Sequence, residues 1–192
     1  PDLKLISNLA TECRMPLCYG GGVTNVDQIQ KIIDLGVEKI SVSSAAIENP
    51  EMIIKAVDLV GGQSIVITLD IKKINNTYCV FSHNGKKQSK LDLLELIFKL
   101  QSYSIGEIVI NSIDNDGLMN GYDLTLVEKI MKISTVPITI VGGAGSLNDI
   151  ELLFDTFGLI GASAGSLFVF KGTYKAVLIN YPNQKEKLGL YQ

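Results

Sequence analysis

The sequence predicts an α/β protein: a (β/α)8 TIM barrel of two half-barrel repeats, lacking roughly the first two strands. Three observations carry this expectation. Short β-rich runs alternate with amphipathic runs along all 192 residues. Most of those β runs are near-continuously apolar, which suggests parallel strands buried on both faces. And the segment from Pro16 recurs 121 positions later, at Pro137.

The strands are read in order from "PLCYG" (16–20), "KISVS" (39–43), "SIVITLDI" (64–71), "EIVINSI" (107–113), "VPITIV" (136–141) and "IGASA" (160–164). Helical patterns fall between them, at 26–35, 50–60, 91–103, 122–133 and 147–156. The first shows the logic: Ile29, Ile32 and Ile33 form one apolar face, and Gly36 follows as a stop. "TYCVFSHNGKK" (77–87) breaks the rhythm as a β-extension turning at Asn84-Gly85.

Such a series fits an open doubly wound sheet or part of a barrel, and the repeat favours the barrel. Pro16/Pro137, Gly21/Gly142, Gly22/Gly143, Ile29/Ile150, Asp34/Asp155, Gly36/Gly158, Ser41/Ser163 and Ser44/Ser166 coincide, with one extra residue near Phe157. A repeat of four βα units implies two half-barrels. The six strands are then strands 3 to 8 of a single incomplete domain spanning residues 1–192. The chain opens with Pro1 directly into a helix-like pattern, "DLKLISNLATEC", which reads as a cut inside a domain.

Composition narrows the function. Net charge is −3, with 17 Lys and Arg against 20 Asp and Glu and no dense basic run, so nucleic-acid binding has little support. No apolar run reaches the roughly 18 residues of a membrane span. Cys13, Cys18 and Cys79 match no zinc or redox spacing, and are expected to be buried free thiols of a cytoplasmic protein. His83 is the single histidine, so neither a His-rich metal site nor a Ser-His-Asp triad is expected.

In each repeat a glycine pair ends one strand and a small, serine-containing cluster ends the next: Gly21-Gly22 with Ser43-Ser44, and Gly142-Gly143 with Gly165-Ser166. Strand C-terminal ends form the active face of a barrel. There, glycine lets backbone N–H groups approach an anion, and serine and a following short helix add donors. A glycine pair alone marks a tight turn as readily; its pairing and repetition favour two phosphate cups. No Lys or Arg lies inside either cluster, which suits a cup built from backbone. Asp70, closing "SIVITLD" between the cups, is a candidate general acid–base, or else a turn or cap residue. "SIDNDGLMNGYD" (112–123) fails as a calcium loop because Asp123 stands where Glu is required. It reads as an active-face loop, with Asp116 toward substrate and Gly117 offering backbone to a phosphate.

Taken together, "YGGGV", "KISVSSAAIENP", "VITLDIKK", "GEIVINSIDNDG…NGYD", "VGGAG" and "AGSLF" resemble the cyclase subunit of imidazole glycerol phosphate synthase, the HisF type. The resemblance runs from Pro1 to about Phe170. It implies a barrel with two phosphate sites and no cofactor. The barrel would receive ammonia from a HisH-type glutaminase in a heterodimer. It would convert a bis-phosphorylated ribulosyl aminoimidazole intermediate to imidazole glycerol phosphate. Asp70 matches one of two catalytic aspartates; the other would lie ahead of Pro1, so this stretch alone is expected to be inactive. Gly22, Ser43 and Ser44 match one phosphate site, and Gly117, Gly143, Gly165 and Ser166 the other. Asp116 matches a substrate-side aspartate. Lys39 and Glu107 match two of four charged residues gating the ammonia path, and Glu38 a glutaminase contact. Ser43 stands where the histidine enzymes usually carry Asn, and Val141 where they usually carry Ser. "ECRMPLCYGGG" and "AGSLFVFKGTYKAVLINYP" look closer to a paralogue associated with acetamidino-sugar formation in bacterial surface polysaccharides. A phosphosugar isomerase on a similar half-barrel is a third reading.

Overall fold

A computed structural model describes residues 1–172 and 174–190. Helix α1 (Leu3–Glu12) opens the chain, with the Asp2 carboxylate accepting a hydrogen bond from the Leu5 N–H at 3.0 Å. The expected alternation follows: β1 (Cys18–Gly20), α2 (Val26–Asp34), β2 (Lys39–Val42), α3 (Ser44–Glu48), α4 (Pro50–Val60) and β3 (Ile65–Ile74). A hairpin, β4 (Thr77–Ser82) and β5 (Lys87–Asp92), intervenes before α5 (Leu93–Gln101), β6 (Glu107–Ser112), α6 (Leu124–Met131), β7 (Ile138–Val141), α7 (Leu147–Phe157) and β8 (Gly161–Ala162). The short α8 (Ser166–Val169), the small β9 (Phe170–Lys171) and β10 (Ala176–Val177) pair, and α9 (Gln184–Gly189) complete it.

The main strands pair in parallel in the order β1-β2-β3-β6-β7-β8, each beside the next along the chain once the hairpin is set aside. This curled parallel sheet with helical crossovers is part of a (β/α)8 barrel. Among the described residues β1 and β8 are its edges.

Side chains alternate faces along each strand. Ile40, Ile67, Leu69, Ile108, Ile110, Ile138 and Ile140 are buried beneath the helices. Ile29 and Ile32 of α2, Ile53 of α4 and Ile97 of α5 meet them in one core. Each such side chain contributes about 1.5–3 kcal/mol by leaving water. The other parity is half-buried: Lys39 and Ser41, Thr68 and Asp70, Glu107 and Asn111, Thr139 and Val141. The expectation of burial on both faces is therefore corrected. The concave face carries polar groups that bond to one another, and the apolar neighbours in sequence point away from them.

The repeat is visible in the backbone. Gly21 and Gly22 have φ of 108° and 68°; Gly142 and Gly143 have 92° and 115°. Asn25 caps α2 at φ −150°, ψ 164°, and Ser146 caps α7 at φ −149°, ψ 165°. The Thr24 N–H donates to Gln28 at 2.8 Å, as the Gly145 N–H does to Asp149 at 2.9 Å. Because the two caps share this geometry, Asn25→Ala and Ser146→Ala should each lower stability by about 1 kcal/mol. Urea unfolding midpoints check this, and nearly equal shifts are expected.

Candidate functional site

At the C-terminal ends of β1 to β3 lies an open cavity of about 770 Å³. It brings together Gly21, Gly22, Ser43, Ser44 and Asp70. Gly21 and Gly22 take left-handed φ and are exposed, and Gly21 has nothing within 4 Å of where a side chain would stand. Their backbone is thus open to a ligand. The Ser44 Oγ accepts a hydrogen bond from the His83 N–H at 2.8 Å. Ser43 precedes α3 without capping it through its side chain.

Asp70 lies in the row Asp70–Asn111–Val141 across β3, β6 and β7. Its Oδ1 accepts a hydrogen bond from Asn111 Nδ2 at 2.9 Å. Asn111 Oδ1 is buried without a hydrogen-bond partner among the described residues. The sequence reading missed Asn111, although its place one strand over from Asp70 could have been found from register. Asp70 also does not close its strand. β3 runs on to Ile74 because Asn75 and Asn76, both at positive φ, turn it into β4.

The turn at Asn84-Gly85 forms as expected, between β4 and β5, with His83 and Asn84 also left-handed. Its consequence was not foreseen. The turn folds back over the cavity, so His83 and Lys86 join the lining. The expectation of a cup without Lys or Arg holds within the glycine and serine clusters and fails for the cavity as a whole. Glu48 Oε1 receives Lys87 Nζ at 2.8 Å and lies 3.0 Å from His83 Nε2. Those hydrogen bonds, Lys87 first and His83 second, hold the Glu48 carboxyl below its ordinary value of 4.5.

The second set of glycines is arranged differently. Gly142 and Gly143 are buried, and the Gly121 N–H donates to the Gly143 carbonyl at 2.9 Å. Gly117 faces Ser166, whose Oγ lies 3.9 Å from where a Gly117 side chain would begin. Gly165 precedes α8 in a backbone conformation close to that of Ser43 before α3. Asp116 is exposed in the turn after β6, while its neighbour Asp114 accepts the Lys73 N–H at 2.7 Å. Tyr122 supports this loop by donating to the Ser163 carbonyl at 3.0 Å. Burial, then the Asp149 charge, push its pKa up to about 12, so it stays a neutral donor near pH 7.

At the opposite end of the strands, Lys39 Nζ pairs with Glu107 Oε2 at 2.7 Å, reaching across β3. Thr139 donates to the other Glu107 oxygen at 2.6 Å. Glu38, just ahead, is exposed. Asn111 stands four residues beyond Glu107, so about 13 Å of strand separates this pair from the Asp70 row. The three thiols are free but not buried: Cys13 and Cys18 are exposed and Cys79 half-exposed. Cys18 lies on the edge strand β1, Cys13 follows α1, and Cys79 sits on β4 of the hairpin. The Cys18 thiol nevertheless sits beside the ion pair; desolvation and then Glu107 raise its pKa, against Lys39. Among the described residues no cluster of His, Cys, Asp or Glu could hold a metal, and no helix is long and apolar enough to cross a membrane.

Residues 1–175 match the family described as "Histidine biosynthesis protein". The chain belongs to that family. It is 51% identical to the "Putative imidazole glycerol phosphate synthase subunit HisF" of Leptospira interrogans over 193 aligned residues, which cover 100% of this chain and 76% of that protein. It is 53% identical to the "Putative imidazole glycerol phosphate synthase subunit hisF3" of Vibrio vulnificus, covering 97% and 73%. The "Imidazole glycerol phosphate synthase subunit HisF" of Natranaerobius thermophilus is 34% identical, covering 95% and 73%. The chain thus spans about three quarters of these relatives' length.

Gly143→Ala would drive a Cβ into the Gly121 carbonyl at φ 115°, whereas Gly21→Ala meets open space at φ 108°. The first should lose several kcal/mol in a denaturant titration, the second only the about 1–2 kcal/mol of backbone strain. Glu48 has a folded pKa below its unfolded one. Its contribution is therefore complete above the unfolded value and lost as pH falls through the folded one. Amide exchange at His83 should accelerate below about pH 4.5 relative to the α4 amides.

Proposed function

We propose that this chain is the cyclase-type subunit of imidazole glycerol phosphate synthase. The observation that carries the reading is the single cavity gathering Gly21, Gly22, Ser43, Ser44 and Asp70. An anion cup of backbone and hydroxyl donors beside a carboxylate on the concave face of β3 suits acid–base chemistry on a phosphorylated substrate. The names of the relatives support the same reading.

In this proposal Gly22, Ser43 and Ser44, with Gly21 shaping the turn, hold one phosphate. Gly117, Gly143, Gly165 and Ser166, with Gly142 behind them, hold the other. Asp116 faces the substrate from its loop. Asp70 moves the proton, with Asn111 fixing Oδ1 and leaving Oδ2 to the substrate. Ammonia enters past the Lys39–Glu107 pair and travels along the concave face. It is supplied by a glutaminase, HisH-type, docked as a heterodimer at the strand N-termini, where Glu38 is exposed. The chain forms one incomplete barrel domain, uses no cofactor and works in the cytoplasm. The resemblance puts the second catalytic aspartate on a strand outside these 192 residues. By themselves they therefore bind substrate without turning it over.

Ser43 in the cup and Val141 in the Asp70 row favour a second reading, ammonia transfer for amidination of a bacterial surface sugar. The test is to give the protein with its first βα units the bis-phosphorylated intermediate and ammonia, and assay imidazole glycerol phosphate. Formation supports cyclisation. Its absence with substrate bound favours the second reading. In the active protein Asp70→Asn should lower kcat by at least about 100-fold while substrate affinity stays within a few-fold. Weakened binding instead would assign Asp70 a structural role.

A further inference from the structure

The first cup has a chemical gap. Its glycine and serine donors are neutral, while the same cavity holds the Asp70 carboxylate. A phosphate dianion entering there meets two carboxylates, Asp70 and Glu48, and the clusters themselves offer no positive charge. The charges around the cavity are not equivalent. Glu48 is engaged by Lys87 and by His83. Lys86 is the one lysine or arginine lining the cavity, and its ammonium has no acidic partner among the described residues.

The turn that carries Lys86 is fixed at several points. The Lys86 N–H donates to the Ser82 and His83 carbonyls at 3.1 and 3.4 Å. Lys87 holds Glu48, and the His83 N–H holds the Ser44 Oγ. That last bond also orients the hydroxyl. A serine oxygen that accepts from His83 keeps its own hydrogen free to donate toward the cavity.

We infer that the β4–β5 turn is the third wall of the first cup, with Lys86 as its phosphate-binding cation and the His83 N–H as the group that aims the Ser44 hydroxyl. This rests on the phosphate reading of that cup. The turn thereby completes a charge-assisted site, which binds a dianion more strongly than neutral donors do. It also ties recognition of that phosphate to the hairpin rather than to the glycine and serine clusters alone.

The test uses the chain and inorganic phosphate, followed at the Gly22 and Ser44 amides in two-dimensional NMR spectra at neutral pH. Lys86→Met should weaken phosphate binding at these amides by about tenfold and flatten its salt dependence. Lys86→Arg should retain most of the affinity. Lys86 is exposed, so neither change disturbs the core, and the Gly143 amide should respond alike in all three proteins. If Lys86→Met binds phosphate as tightly as the unaltered chain, the inference is overturned and the cup stands. If the Gly22 and Ser44 amides of the unaltered chain ignore phosphate, the cup reading itself fails and takes the inference with it.

Discussion

The register between β3 and β6 is the constraint on which the rest of the molecule depends. Six consecutive residue pairs, from Val66–Glu107 to Ile71–Ser112, lock the two central strands together. Because side chains alternate strictly, this register assigns each residue a face as well as a neighbour. Ile67, Leu69, Ile108 and Ile110 go under the helices. Val66, Thr68, Asp70, Glu107, Val109 and Asn111 go to the concave side. A slip by one residue would bury Asp70 and Glu107 among isoleucines. The cost of unpaired buried carboxylates makes such a slip prohibitive. Apolar burial and the placement of the site are thus one choice, made by the same hydrogen bonds. It sets Lys39–Glu107 at one end of the concave face and Asp70–Asn111 at the other.

The repeat gives the sheet two similar ends, and local packing makes them differ. The glycine pairs share left-handed backbone, and the helices behind them share cap geometry almost to the degree. Yet Gly21-Gly22 is exposed, while Gly142-Gly143 lies under the loop around Gly121. The β6–α6 loop covers one pair; the β4–β5 turn stands over the serine side of the other. The turn is the same in both repeats and its surroundings differ. A glycine needed at Gly21 for backbone conformation is needed at Gly143 for conformation and for space.

Much of this was legible in the sequence because it depends on periodicity and local chemistry. The six main strands, the helices between them and the Asn84-Gly85 turn follow from patterns a few residues long; the strand order and the gathering of Gly22, Ser44 and Asp70 follow from the repeat 121 positions apart. What was illegible depends on which elements lie side by side. Thr68, Asp70 and Asn111 sit in runs that are apolar on average, so the runs looked buried throughout; the alternation becomes clear only when Asp70 and Asn111 are placed in one row. The thiols of Cys18 and Cys79 looked buried because strand-like neighbours surround them. An edge strand and a hairpin leave them accessible. His83 and Lys86 were invisible as lining residues because their relevance is set by contacts 39 positions away, between His83 and Ser44 and between Lys87 and Glu48.

Those contacts also explain how the hairpin turn can exist in its observed form. His83 and Asn84 are non-glycine residues at φ 54° and 57°, and each costs about 1 kcal/mol in that region. Such strain persists only where the surroundings over-determine it. Here the Ser44 hydroxyl and the Glu48 carboxylate of α3, with the Lys87 ammonium at the start of β5, supply the surroundings. Exposed ion pairs of this kind are individually weak. Their combination with a neutral backbone-to-hydroxyl bond, insensitive to salt, gives the turn a fixed seat at the cavity. At its other end Tyr78 on β4 donates to both Asp123 oxygens at 3.0 and 2.9 Å. Pinned at both ends, the hairpin behaves as part of the wall. It is therefore a hairpin between two barrel strands whose strained turn is held in place by what lies beneath it.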